Sequence, residues 1–301
     1  MLIRRFQDTF TKRGTGTGLA TTSIITIQIV VIPQLTTLKE LDVRMPKNRT
    51  QRAGNVAVER VLALPDIHYP LHDERALSAV EAFIPDFNPT IVVYPGDQLQ
   101  MDCVSHWLED KRRRLEGQRL LKDYEGFNRV LDRHMALAPN AKYVFIFGNH
   151  EDWCEQYIDL HPEMEGMLEV EHALRLRERG FAVVPFGQAY QVGHLWYIHG
   201  VYTNEHHAKT TALAYRRNVR YGHTHDVQHF TITSPVDVED RIFAGSIGCL
   251  CNVNPHYLRM RPNRWQLGFN VAYVRPDGTF NDYTIAIIQG KFTFEGQTYG
   301  D

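Results

Sequence analysis

Five short clusters, Asp66-Ile67-His68, Gly96-Asp97, Gly148-Asn149-His150-Glu151, His199-Gly200 and Gly222-His223-Thr224-His225, together hold seven plausible metal ligands. The donors are carboxylate and amide oxygens and imidazole nitrogens, with no thiolate among them. That set suits divalent ions from borderline to hard, such as manganese, iron, zinc or magnesium. Seven are too many for one tetrahedral ion. Two ions at roughly 3.5–4 Å, sharing one carboxylate, would use them all and would clamp the attacking and leaving oxygens of a phosphoryl transfer.

Such ligands need a scaffold that brings them together. Val61-Leu62-Ala63-Leu64, Ile91-Val92-Val93-Tyr94, Tyr143-Val144-Phe145-Ile146-Phe147 and Leu195-Trp196-Tyr197-Ile198 read as buried strands, and each is followed closely by a ligand-type side chain. Strands that are apolar throughout suit a sheet covered on both faces. Polar groups at their carboxyl ends converge along one edge, where open α/β folds bind ligands.

Taken singly, most pieces have a plainer reading. Gly-Asp after a strand is a turn, and Gly-Asn-His-Glu is a helix start with Asn149 as N-cap and Glu151 in the first turn. Gly-His-Thr-His is more specific. Its two histidines at i and i+2 leave the short strand Asn218 to Tyr221 behind a glycine that lets backbone and metal approach.

The ordered combination resembles the calcineurin-like metallophosphoesterases, whose pattern is D-x-H, G-D, G-N-H-D/E, H and G-H-x-H in that order. All five blocks are present, and the resemblance covers roughly Val61 to Ile288. The stretch from His199-Gly200-Val201-Tyr202 through Gly222 to Asp226 looks most like versions encoded by bacteria and their phages. The resemblance implies an α/β fold, a four-layer α/β/β/α sandwich with mixed sheets, binding two metals. Carried over by motif, Asp66, His68 and His225 hold the first metal, Asp97 bridges, and Asn149, His199 and His223 hold the second. Manganese is the first expectation, with iron, zinc, magnesium, nickel and cobalt as alternatives. His150 is then no ligand. By resemblance it contacts the phosphate and helps protonate the leaving oxygen, which imidazole chemistry permits near neutral pH. Glu151 stands where many members have Asp and keeps a carboxylate that can orient His150. The catalytic set implied is His150, Asp97 and Glu151, with a metal-bound hydroxide attacking phosphorus in line with the leaving group.

At 301 residues with 43% hydrophobic content, the chain can bury a sizeable core. The metal motifs span too much sequence to divide, so residues 56–301 form one domain behind an extension, 1–55, of uncertain role. Within that extension the apolar stretch Ser23 to Ile32 follows a basic segment, as in a signal peptide. Yet Thr26 and Gln28 interrupt it, β-branched residues dominate, and no small-residue cleavage site precedes Pro33. It is too short to span a bilayer as a helix, and it reads as a strand, a partner-binding segment or a spurious upstream start. Cys103, Cys154, Cys249 and Cys251 form no Cys-x-x-Cys pair, which suits buried thiols in the cytoplasm of a bacterium or phage-infected host cell.

A net charge of −2, from 33 basic and 35 acidic residues, excludes a global basic field for nucleic acid. Local patches remain. Lys111-Arg112-Arg113-Arg114 is one, although Glu109, Asp110 and Glu116 flank it and could make i,i+4 pairs on a solvated helix face. The surrounding segment, Cys103 to Leu137, has helical composition with Gly117 and Gly126 as interruptions. Asn252 to Trp265 mixes Tyr257, Arg259, Arg261, Arg264 and Trp265, residues that can stack bases and hold phosphates or else plug a sandwich edge. Gln228 to Thr233, Arg241 to Ala244, Phe269 to Val274 and Phe280 to Ile288 read as strands completing the second sheet. Cys249-Leu250-Cys251 reads as packing. His206 and His207 follow His199 at a helix start and could touch substrate, whereas His72, His106, His134, His161, His172, His194, His229 and His256 carry no motif.

The expected function is a dinuclear-metal phosphoesterase, with phosphodiesters of nucleic-acid or nucleotide metabolism first. A phosphomonoesterase for nucleotides, metabolites or proteins is the alternative, and a non-catalytic binding protein on the same fold is the third reading. The partners expected are a phosphate-ester substrate and possible nucleic acid, with no membrane. The sequence leaves the oligomeric state open.

Overall fold

The computed structural model describes residues 57–259 and 261–301, so the strand expected within Ser23 to Ile32 lies outside the described residues. The chain runs β1 (Glu59–Ala63), α1 (Glu74–Phe87), β2 (Ile91–Pro95), α2 (Arg112–Leu115), α3 (Leu120–Leu137), β3 (Lys142–Ile146), α4 (Asn149–Leu160), α5 (Val170–Ala173) and β4 (Ala182–Val184). It continues through β5 (Tyr190–Val192), β6 (Leu195–Ile198), α6 (His207–Tyr215), β7 (Asn218–Tyr221), β8 (His229–Thr233) and β9 (Arg241–Ser246), and ends with β10 (Gly268–Val274), β11 (Phe280–Ala286) and the hairpin β12 (Phe292–Phe294) and β13 (Gln297–Tyr299). Both larger sheets are mixed: one is ordered β11-β10-β1-β2-β3-β4, the other β5-β6-β7-β9-β8.

The period of two within a strand explains the layers. Leu62, Val92, Tyr94 and Phe145 face one way, onto Leu77, Val80 and Phe83 of α1 and Phe127 and Leu131 of α3. Their neighbours Val61, Ala63, Ile91, Val93, Val144 and Ile146 face the other way, onto Leu195 and Tyr197 of β6. On the far side of the second sheet, Ile198, Val219, Tyr221 and Ala244 pack with Ala212 of α6. The order is therefore helix, sheet, sheet, helix, the four-layer α/β/β/α sandwich. Each Val, Leu or Ile so buried contributes about 1.5–3 kcal/mol by leaving water. A polar link also crosses the seam between the sheets: Arg220 on β7 donates to Asp282 on β11 at 2.5 Å, both side chains nearly buried.

Strand identity agrees with the apolar patterning, but the assignment of strands to sheets does not. Only β8 and β9 complete the second sheet. β10 pairs with β1, Leu62 opposite Val271, and β11 pairs with β10, so both extend the first sheet. Alternation marks which residues of a strand are buried and carries no record of its neighbour. Gly126 is likewise no interruption. It lies inside α3, where a Cβ would stand 2.1 Å from the Tyr69 hydroxyl, so the helix keeps a glycine to admit that ring. Gly117, with φ +77°, does fall between α2 and α3.

Strands β1, β2 and β3 are adjacent and parallel, as are β6 and β7. All five ligand clusters therefore follow carboxyl ends of parallel strands.

Candidate metal centre

The turns that leave these strands are unusual in backbone conformation. Asp66, His68, Asp97, His223 and His225, five of the seven candidate ligands, have φ between 46° and 73°. Non-glycine residues there cost energy, and clusters of them mark sites where surrounding structure enforces the geometry. The enforcement is visible: the turns after β1 and β2 stay bonded past the strand ends, with Asp66 N–H donating to Gly96 O at 3.3 Å and His68 N–H to Asp97 O at 3.0 Å. Glycines give the ligands room. A Cβ on Gly96 would stand 2.2 Å from His199 Nδ1, and one on Gly222 would stand 2.0 Å from Asp66 Oδ2.

The seven side chains fall into two clusters sharing one carboxylate. In the first, Asp66, His68, Asp97 and His225 bring their ligand atoms within 4.8 Å of one another. His225 Nε2 lies 3.3 Å from Asp66 Oδ1 and 3.0 Å from His68 Nε2. In the second, His199 Nε2 lies 3.2 Å from Asp97 Oδ2, 3.0 Å from Asn149 Oδ1 and 3.1 Å from His223 Nδ1. Asn149 is the first residue of α4 rather than its N-cap, which leaves its amide oxygen for the cluster.

Groups behind the rings aim them. The carbonyl of Pro95 can only accept, so His199 Nδ1 donates to it at 2.9 Å and Nε2 faces inward. His68 Nδ1 is held in the same way by Gln100 Oε1 at 3.0 Å. The Cys251 thiol sits 3.8 Å from His225 Nδ1, the ring nitrogen opposite the one that faces Asp66, and its sulfur also comes within 4.8 Å of ligand atoms of His68 and His225.

Electrostatics follow from this crowding. Burial alone would raise the Asp97 pKa, but His199, His150 and His68 hold it well below the usual carboxylate range. Burial works against the His199 charge, and Asp97 overrides it and lifts that imidazole to about 9. Desolvation and the neighbouring His199 push His223 down to about 4. Facing lone-pair nitrogens at about 3 Å repel unless a proton or cation stands between them. An oxygen and imidazole donor set with one shared carboxylate fits two divalent cations.

His150 belongs to neither cluster. Its Nε2 faces Asp97 Oδ2 at 3.9 Å, its Nδ1 donates to Gln100 O at 2.6 Å, and its ring lies 3.9 Å from that of Trp153. Glu151 corrects the expectation that it orients His150. Its carboxylate accepts from four backbone amides, Asp97 and Gly148 on one oxygen and Gln98 and Leu99 on the other, at 2.8–3.1 Å. It fixes the Asp97 turn. Burial, followed by the Asp97 charge, raises the Glu151 pKa to about 7.

Residues 59–288 match the Metallophos family, the calcineurin-like phosphoesterases. The chain belongs to that family. It is also 24% identical to the Gene 54 protein of Mycobacterium phage L5 over 261 residues, covering 80% of this chain and 98% of the relative. Similar solved structures include Vacuolar Protein Sorting 29 from Cryptosporidium parvum, 12% identical with a TM-score of 0.43, covering 81% of this chain and 99% of that one. YfcE, a phosphoesterase from E. coli, is 15% identical with a TM-score of 0.33, covering 76% and 100%.

Around the centre of this calcineurin-like phosphoesterase, several residues play parts the sequence did not announce. Trp265 sets its ring edge-on to His225 at 4.2 Å, which spends that aromatic on a candidate ligand. Trp153 was within reach of inference, since i and i+3 share a helix face with His150. Gln100 carries no local signal. His207, expected near substrate, is a satisfied core residue between the Tyr221 hydroxyl at 2.7 Å and Asp226 at 3.1 Å, while His206 is exposed. Among the described residues no ion pair joins Lys111, Arg113 or Arg114 to Glu109, Asp110 or Glu116; Lys111 instead donates to the carbonyl of Trp107. Among those residues, too, no helix is long and apolar enough to cross a membrane.

Proposed function

We propose that this phosphoesterase is a two-cation phosphodiesterase acting on nucleic acids or nucleotides in the cytoplasm of a bacterium or phage-infected cell, with Asp66, His68 and His225 on one cation, Asn149, His199 and His223 on the other, and Asp97 between them. The observation that carries it is the division of the ligands into two clusters that meet at Asp97, with His150 beside both and in neither. Bound cations would supply a water acidic enough to attack at neutral pH and charge to hold the phosphoryl oxygens, manganese being the first candidate. Asp97 remains ionised and places its two oxygens on opposite duties, one toward His199 and the other accepting from His150 N–H at 2.9 Å. His150 keeps one proton on Nδ1, donated to Gln100 O, and exchanges the other at Nε2, where it can protonate a leaving oxygen. It stands in the first turn of the twelve-residue helix α4, whose positive end favours a phosphate there. The complete set of ligands and the oriented His150 favour an enzyme over a binding protein retained on the same fold.

Initial rates with bis-p-nitrophenyl phosphate and p-nitrophenyl phosphate after manganese loading test this reading. The diester should be turned over with the higher kcat/KM, and chelation should abolish both activities. A clear preference for the monoester makes the protein a phosphatase, and inactivity toward both with two ions bound makes it a binding protein.

A further inference from the structure

Beside the centre, on the far side of His150, lies a cleft of about 190 Å³ that the ligand set does not explain. Its walls are aromatic: Trp107, Trp153 and Tyr257, with Arg114 among them. Asp102 and Ser105 supply polar atoms to the same cleft. We propose that this cleft is a stacking subsite for the nucleobase carried by the leaving group of a phosphodiester substrate. The inference rests on the phosphodiesterase reading and extends it to substrate class.

Position comes first. His150 is a wall of both places, its Nε2 directed at Asp97 and its ring at Trp153. A group attached to the oxygen that His150 protonates is therefore led into the cleft. Size narrows the occupant. Pockets that enclose a whole drug-sized ligand measure about 300–1,000 Å³, so this one takes a single ring system and leaves the remainder of the substrate outside. The walls narrow it further. Trp107 is 65% exposed, outside the three buried clusters, with the His106 ring 4.6 Å from its own and Lys111 bound to its backbone carbonyl. Indole and phenol faces suit a planar heteroaromatic ring, and a guanidinium adds cation–π attraction without demanding a particular base. Arg114 is half-buried at this cleft while Arg113 is exposed, so among the described side chains of the basic run one cation is placed here. The Asp102 carboxylate, accepting from Gln100 Nε2 at 2.9 Å on one oxygen and from Gln118 Nε2 at 3.4 Å on the other, keeps lone pairs for an N–H on the edge of a base.

The test uses the full-length, manganese-loaded protein and three substrates separated by chromatography: a thymidine dinucleotide and the same dinucleotide lacking one base or the other. Removing the base on the nucleoside that leaves should lower kcat/KM by roughly tenfold or more, the size of one stacked base. Removing the other base should matter less. In Trp107→Ala the intact dinucleotide should fall to the rate of its abasic form, whose own rate should not move, and Trp107→Phe should restore part of the difference. Equal rates on all three substrates overturn the subsite and leave the phosphodiesterase standing, as does an equal loss on all three in Trp107→Ala. No hydrolysis of any dinucleotide, with p-nitrophenyl phosphate still turned over, overturns the subsite and the phosphodiesterase reading together.

Discussion

Two sets of buried imidazoles, each with a carboxylate at hand, behave in opposite ways. His207 gives one ring nitrogen to the Tyr221 hydroxyl and the other to Asp226, so each nitrogen has a partner of its own. His199 Nε2 instead faces Asp97, Asn149 and His223 at once, and His68 and His225 face each other. A ring nitrogen has one proton or one lone pair to offer. The first set is therefore complete with protein groups alone, and the second has the arrangement that cations would complete. Burial and a nearby acid do not distinguish a metal centre from a core network; convergence of several donors on one nitrogen does.

The comparison breaks most severely at Asp97. In Asp97→Asn both cations should be lost together, and turnover should fall by roughly 10⁴ or more because metal assistance and the setting of His150 go at the same time. Metal analysis of the purified variant checks this, and two tightly held ions with full activity would remove the shared-carboxylate assignment. Next in size is His150→Ala, which should keep two ions per chain while turnover drops by roughly 10²–10⁴. The loss should be smaller for p-nitrophenolate than for a poor leaving group. Equal losses would mean that His150 does not protonate.

Glu151→Gln sharpens the contrast from outside the ligand set. One amide oxygen replaces two carboxylate oxygens, so two of the four backbone amides lose their acceptor, at about 1–3 kcal/mol each. Cation affinity should weaken by roughly 10–100-fold, as for other groups that orient ligands, and titration with manganese followed by activity measures it. Unchanged affinity would reduce Glu151 to a helix cap. The smallest effect belongs to the other set: Asp226→Asn should lower stability by about 1–3 kcal/mol in a denaturant titration, with metal content unchanged. Loss of metal there would join the two sets that the geometry separates.

How much of this was legible in the sequence depends on whether the signal was local. The strands, the glycines at their ends and the convergence of the candidate residues there were readable, because apolar runs and turn residues act within a few positions. The partner sheet of β10 and β11 was not, since pairing of Leu62 with Val271 is a long-range choice among similar alternating strands. Glu151 misled for a related reason. Three of its four partners are backbone amides more than fifty residues away, on Asp97, Gln98 and Leu99, and amides leave no residue type to read. His207 misled because a helix start near His199 says nothing of the Tyr221 hydroxyl that meets it.

The ligands also straddle the seam of the sandwich. Asp66, His68, Asp97 and Asn149 issue from the six-stranded sheet, and His199, His223 and His225 from the five-stranded one. Cations held by both groups would act as rivets between the sheets, adding to the Arg220 and Asp282 pair that already crosses the same interface. Folding and metal supply are then coupled. A free-ion concentration a hundredfold above Kd adds about 2.7 kcal/mol to the folded state. Chelation should therefore lower the melting temperature as well as stop turnover, so that metal starvation limits how much of this protein survives and not only how fast it works.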